Sequence, residues 1–70
     1  MSFKFKWERL SYADIERLTR VCNLEPIEKR LLELRCKGIT PDVVADEIGY
    51  SRRGMFYLSN KVLEKILKEL

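Results

Sequence analysis

Apolar residues recur at every third or fourth position along most of this chain, which is the spacing of helices with one buried face. The first such run begins at Ser11 and Asp14, which resemble a capping box with Asp in place of the usual Glu. It predicts a helix over about 12–22, closed by Asn23. The apolar positions of this helix are Tyr12, Ile15, Leu18, Val21 and Cys22.

Three further helices follow from the same kind of evidence. Pro26 suits the first turn of a second helix, which Gly38 ends. Thr40 and the Pro-Asp pair after it predict a third helix over about 41–48. The fourth and longest helix is predicted over about 52–69. Its inner apolar stripe is Met55, Leu58, Val62 and Ile66, and a second stripe beside it is Leu63, Leu67 and Leu70. This second stripe is surplus to a small bundle, so it could cover the N-terminal segment or mediate dimerisation.

Aromatic residues and lysines alternate over residues 3–7, which is the period of a strand or an extended arm. A lone strand has no partner within the chain, so this segment packs across the helices, pairs with another copy, or is an irregular lead-in. We expect packing, because Phe3, Phe5 and Trp7 are costly to leave in water. The predicted fold is therefore a single all-α domain over 1–70, with an extended arm at 1–10 and a bundle of about four helices at 11–70.

Residues 43–58 predict two crossing helices joined by a short turn. Val44, Ala45 and Ile48 line one face of the first helix, and the small Ala45 allows a close crossing. Gly49 can adopt the left-handed conformation that ends a helix, and Ser51 can cap the next one. This is the pattern of a helix-turn-helix, in which the second helix enters the major groove of DNA.

Composition indicates which broad class of protein this is. The chain has 70 residues, 46% of them hydrophobic and 36% charged, which suits one compact domain and argues against disorder. No apolar run approaches the roughly 18 residues of a membrane span. The charged and aromatic start is unlike a signal peptide. We therefore expect a cytoplasmic protein with no membrane partner.

Enzymatic and metal chemistry find little support in this composition. Cys22 and Cys36 are the only cysteines, and histidine is absent, so neither a zinc set nor a base for a thiol nucleophile is at hand. Both cysteines fall on predicted apolar helix faces, and we expect buried free thiols. The prediction is a protein that is not an enzyme and holds no metal and no cofactor.

Positive charge is concentrated in the last part of the chain. Residues 1–50 hold nine basic and nine acidic residues, whereas residues 51–70 hold five basic and two acidic ones. The whole net charge of +3 therefore belongs to the predicted fourth helix. Such a distribution favours a phosphate-bearing partner.

Residues 24–66 resemble the helix-turn-helix shared by LuxR-type regulators and region 4 of bacterial sigma factors. The resemblance lies in Leu24-Glu25-Pro26 before a leucine-rich helix, in the stretch 44–51, in Arg52-Arg53 and in the closing stretch 62–66. The Tyr50-Ser51-Arg52 turn is especially similar to small sigma-region-4-like phage regulators of the ArpU type. The resemblance implies a transcriptional regulator that binds double-stranded DNA, with a recognition helix at about 52–69.

In such proteins the outer face near the start of the recognition helix meets base edges, and the cap region meets phosphate. The DNA-binding positions that the resemblance implies here are Thr40, Tyr50, Ser51, Arg52, Arg53, Phe56, Tyr57, Asn60 and Lys61. Arginine can pair with guanine and asparagine with adenine, while Thr40 and Tyr50 could add backbone contacts. Few basic residues are available, so a homodimer that reads two half-sites is expected.

Two features of the predicted recognition helix depart from this pattern. Gly54 lies in its first turn, where glycine costs about 1 kcal/mol relative to alanine. Phe56 and Tyr57 stand where family members usually carry polar or basic residues. Adjacent aromatic residues cannot both face inward on a helix. The alternative function is therefore a protein-interaction module, an RNA polymerase adaptor or an anti-sigma-like protein, that keeps the fold without reading DNA.

Overall fold

Four α-helices follow a one-turn 3-10 helix at Trp7–Arg9. They are α1 (Tyr12–Val21), α2 (Pro26–Cys36), α3 (Pro41–Ile48) and α4 (Arg52–Glu69). The computed structural model describes residues 6–69, and this part of the chain contains no strand. The predicted all-α class with four helices is confirmed, and the predicted helix ends lie within one or two residues of the observed ones.

Local capping explains why α1 begins where it does. The Ser11 hydroxyl accepts a hydrogen bond from the Asp14 N–H at 3.2 Å, and the Asp14 carboxylate accepts one from the Ser11 N–H at 3.0 Å. This reciprocal pair is the predicted capping box. The bond from the Ser11 backbone is the main reason that the pKa of Asp14 lies below its usual value.

Left-handed residues separate the helices at the three positions where the sequence predicted helix ends, and the left-handed conformation predicted for Gly49 is confirmed. Asn23, Gly38 and Gly49 have φ values of 54°, 77° and 74°. Glycine reaches this region without the steric cost that a Cβ imposes, and asparagine tolerates it better than most residues. Each of these residues therefore ends one helix and turns the chain toward the next.

The core is built around α2, which contacts the 3-10 helix and each of the other three α-helices. Leu31 and Leu32 on α2 are completely buried, as are Val44 on α3 and Met55 and Val62 on α4. The buried apolar residues form one cluster: Trp7, Ile15, Leu18, Leu24, Leu31, Leu32, Leu34, Val44, Ala45, Met55, Leu58, Val62 and Ile66. The whole inner stripe predicted for α4 belongs to it.

The start of the chain corrects the predicted arm in part. Trp7 lies in the 3-10 helix rather than in an extended strand, because the Leu10 N–H bonds back to the Trp7 carbonyl at 3.1 Å. Its indole ring is buried, and the Arg35 guanidinium lies over it at 5.1 Å from the ring centroid. Packing of this aromatic residue onto the body is confirmed. Phe3, Phe5 and Leu70, which the sequence assigned to the arm and to the second stripe, lie outside the described residues.

Only some of the apolar residues of α1 reach the core. Tyr12 is 71% exposed and Val21 is 49% exposed, so only Ile15 and Leu18 of this helix are fully in the core. Helical spacing marks both ends of α1 as apolar, and the structure buries only Ile15 and Leu18 between those ends.

Both cysteines are free thiols, as predicted, but they are half-buried rather than buried. The Cys22 Sγ lies 3.5 Å from the Lys65 carbonyl oxygen, to which it donates a hydrogen bond. Partial burial raises the pKa of Cys36 to about 11. A thiol with so high a pKa is a weak nucleophile at neutral pH, because the thiolate is the reactive form.

Within residues 6–69, no helix combines the length and the apolar character needed to cross a membrane.

Candidate nucleic-acid interface

Helices α3 and α4 form a helix-turn-helix arrangement around a three-residue turn. Gly49 ends α3 in the left-handed conformation, and the Tyr50 N–H bonds back to the Ala45 carbonyl at 2.9 Å. Val44 and Ala45 of α3 lie in the same buried cluster as Met55 of α4. The turn therefore fixes where α4 begins relative to α3, and the shared core holds the two helices together.

Ser51 caps α4, as the sequence predicted. Its hydroxyl accepts a hydrogen bond from the Gly54 N–H at 3.1 Å, and its carbonyl accepts the first helical bond from the Met55 N–H at 2.8 Å. The turn leaves little room for a side chain at position 54. A Cβ at this position would stand 3.2 Å from the Ser51 Oγ and 3.3 Å from Cδ2 of the Tyr50 ring.

All nine residues predicted to bind DNA lie at the surface. Thr40 precedes α3, and Tyr50 and Ser51 belong to the turn. The remaining six are on α4: Arg52, Arg53, Phe56, Tyr57, Asn60 and Lys61. They alternate with the buried stripe, so they occupy the side of α4 that does not pack against α2 and α3.

The two aromatic residues of this surface differ in exposure. Phe56 is 38% exposed and Tyr57 is 68% exposed. Each ring has a cation from its own helix above it, four residues away along the chain. The Arg52 guanidinium lies 5.8 Å from the Phe56 ring centroid, and the Lys61 ammonium lies 5.9 Å from that of Tyr57. These contacts lie within the distance at which cations and aromatic faces attract.

Helix α3 is acidic. The charge count over residues 1–50 as a whole, which balances, does not show this. It carries Asp42, Asp46 and Glu47 and no basic residue. Asp42 Oδ1 lies 3.5 Å from the Nε of Arg52, and Glu47 lies 3.4 Å from Arg30. The tertiary fold therefore places part of the positive charge of α4 against carboxylates, whereas Arg53 has no ion pair among residues 6–69.

A buried carboxylate on α2 pairs with α4, and the sequence did not predict this contact. Glu28 on α2 is 3% exposed and accepts two hydrogen bonds from the Lys65 ammonium, at 2.9 and 3.0 Å. The Glu25 N–H donates a third at 2.9 Å. No local pattern reveals this pair, because its members are 37 residues apart along the chain.

The surroundings of Glu28 explain its ionisation. Burial by itself raises the pKa of this carboxyl, but the bonds from the Glu25 N–H and from Lys65 outweigh burial and hold the pKa below 4.5. The same contact raises the pKa of Lys65. Lys65 is thus paired with α2, and the basic residues on the outer side of the first ten residues of α4 are Arg52, Arg53 and Lys61.

The chain matches no protein-family model, no curated protein and no solved structure. The resemblance to LuxR-type and sigma-region-4 domains therefore stays a prediction from the residues quoted above.

Proposed function

We propose that this chain is a DNA-binding transcriptional regulator that inserts the start of α4 into the major groove of double-stranded DNA. The observation that carries the proposal is the exposure of all nine predicted contact residues, six of which lie on α4 opposite its buried stripe. The proposed activity is binding, with no catalytic step, metal or cofactor, and it takes place in the cytoplasm.

The start of α4 supplies donors for a phosphate group. Ser51 occupies the Gly54 N–H, and the N–H groups of Arg52 and Arg53 in the same first turn have no acceptor within the described part of the chain. Such N–H groups, together with the positive end of the helix dipole, favour an anion. Further along the outer side, Asn60 has the amide that pairs with the major-groove edge of adenine.

The test is fluorescence anisotropy with a labelled random-sequence duplex over a series of salt concentrations. We expect binding that weakens steeply with salt, by a log–log slope of about 0.9 for each phosphate neutralised. Arg53→Met lowers both the affinity and the slope. Lys29→Met is the matched control, because Lys29 pairs with Glu16 at 3.0 Å on another part of the molecule. The absence of duplex binding at low salt contradicts the proposal.

We also propose that the chain binds DNA as a homodimer, because the three cations on the outer side of the first ten residues of α4 give one copy few charged contacts with DNA. Two copies related by a two-fold axis would read half-sites about one helical turn apart. Sedimentation of the complex at a fixed duplex concentration gives the stoichiometry directly. A ratio of one chain to one duplex at saturation argues against the dimer.

A second function, the protein-interaction module, is favoured by the aromatic character of the same surface. Phe56 and Tyr57 are exposed on α4, Tyr50 of the turn is 42% exposed, and Val43 of α3 is 47% exposed. Aromatic residues exposed at a surface are enriched in protein contacts. A pull-down that retains an RNA polymerase subunit, and loses it on Tyr57→Ala but not on Arg53→Met, supports the adaptor instead of the DNA reader.

A further inference from the structure

The two neighbouring arginines at the start of α4 have different surroundings. The Arg52 guanidinium, on a side chain that is 66% exposed, has two neighbours: the Asp42 carboxylate of α3 and the ring of Phe56 one helical turn further along. Arg53 is exposed and has neither an ion pair nor a ring contact among residues 6–69. The two adjacent arginines therefore differ in which of their groups are available to a partner.

The contact with Asp42 leaves the terminal Nη groups of Arg52 free to bind another partner. Asp42 Oδ1 approaches the Nε atom at 3.5 Å, so the two terminal Nη groups remain available. The Arg52 guanidinium carbon lies 5.8 Å from the Phe56 ring centroid, within the range of cation–π attraction. The two Nη groups of a guanidinium form a planar pair of donors, which matches the O6 and N7 acceptors of guanine.

The Asp42 carboxylate also disfavours a phosphate at Arg52. The ion pair is neutral overall, and the carboxylate repels a second anion brought to the same guanidinium. A guanine edge carries no formal charge, so it meets no such repulsion. Arg53 has no nearby carboxylate pairing with it among the described residues, and its full charge is available for the DNA backbone.

We infer that Arg52 is the guanine-reading residue of this surface, that Asp42 is the positioning residue that keeps it from phosphate, and that Arg53 binds the DNA backbone. The inference rests on the proposed DNA-binding function and assigns a base to it.

The test uses duplexes enriched from a random-sequence library by the wild-type chain. Each guanine of an enriched duplex is replaced singly by 7-deazaguanine, which keeps base pairing but carries C–H in place of N7. We expect one position at which this change weakens wild-type binding by about fivefold or more, part of the discrimination that a bidentate contact provides. Arg52→Met binds the two duplexes equally.

Arg53→Met is the matched variant of its neighbour. It remains sensitive to 7-deazaguanine, but it binds every duplex more weakly and lowers the salt slope by about 0.9. Asp42→Asn frees the charge of Arg52, so it raises affinity for a duplex of A·T pairs alone and reduces the 7-deazaguanine effect. Asp42→Glu restores the wild-type behaviour. Circular dichroism melting confirms that each variant is folded.

Several outcomes overturn the inference. One is an Arg52→Met variant that stays sensitive to 7-deazaguanine, and another is an Arg53→Met variant that loses the sensitivity. A third is an enriched duplex in which no guanine position responds. These results leave the DNA-binding function standing, whereas an absence of binding to any duplex removes both proposals.

Discussion

At the scale of single residues, Glu28 has the most unusual environment. It is the one charged side chain that is buried in the described part of the chain, and it accepts hydrogen bonds from Lys65 and from the Glu25 N–H. Buried charges are stable only when paired and hydrogen-bonded. The pair joins the start of α2 to the second half of α4, so it links these two helices in addition to their apolar contacts.

We predict that Glu28→Gln lowers the free energy of unfolding by about 1–3 kcal/mol at neutral pH, because hydrogen bonds to a charged group are lost. Folding lowers the pKa of Glu28 from 4.5. The ionised carboxylate therefore contributes its full stabilisation at pH values above 4.5. The contribution disappears as the pH falls through the lowered pKa. Urea unfolding of both chains at pH 7 and pH 3 measures the difference, which shrinks in acid.

Glu64→Gln serves as the control for this substitution. Glu64 is exposed on α4 and forms no ion pair among residues 6–69, so its change leaves the unfolding free energy nearly unchanged. An equal loss of stability for Glu28→Gln at pH 7 and pH 3 would show that lost packing, and not the ionised pair, causes the effect.

At the scale of elements, the turn between α3 and α4 decides how the candidate interface is presented. Local sequence predicted most of it: the left-handed Gly49, the Ser51 cap and the start of α4 at residue 52. These features follow from the residue types at the turn, so the sequence alone predicts them. The role of Gly54 was not predicted, because it depends on where the Ser51 and Tyr50 side chains lie once the turn has folded.

We predict that Gly54→Ala fails to give the stabilisation of about 1 kcal/mol that helix propensity promises for this exchange. The added Cβ would crowd the Ser51 Oγ at 3.2 Å and thereby disturb the cap of α4. Thermal and urea unfolding of the variant measure the net change. A gain close to 1 kcal/mol would mean that the turn relaxes freely, and the contact with Tyr50 would then have no structural role.

At the scale of the whole molecule, one core supports all the helices. A domain of 70 residues has a stability of only about 3–10 kcal/mol, and α2 contacts every other element of this one. The candidate interface therefore depends on residues that lie far from it, since α4 keeps its position through the contacts of its inner stripe with α2 and α3.

We predict that Leu31→Ala lowers the free energy of unfolding by about 2–5 kcal/mol, because Leu31 is completely buried at the centre of α2. Urea unfolding followed by circular dichroism measures this change, and the transition should remain a single one. Val43→Ala is the control, since Val43 is 47% exposed and its truncation leaves little cavity. Comparable losses for the two variants would contradict the position assigned to the core.

The sequence by itself determined the number of helices, their ends and the inner stripe of α4. Caps, left-handed residues and helical periodicity act over a few neighbouring positions, so the chain encodes them locally. Only the tertiary structure decided which apolar residues of α1 reach the core, that Glu28 pairs with Lys65, and that Asp42 meets Arg52. These outcomes depend on helices that are distant along the chain and adjacent in space, and the different surroundings of Arg52 and Arg53 arise from that proximity.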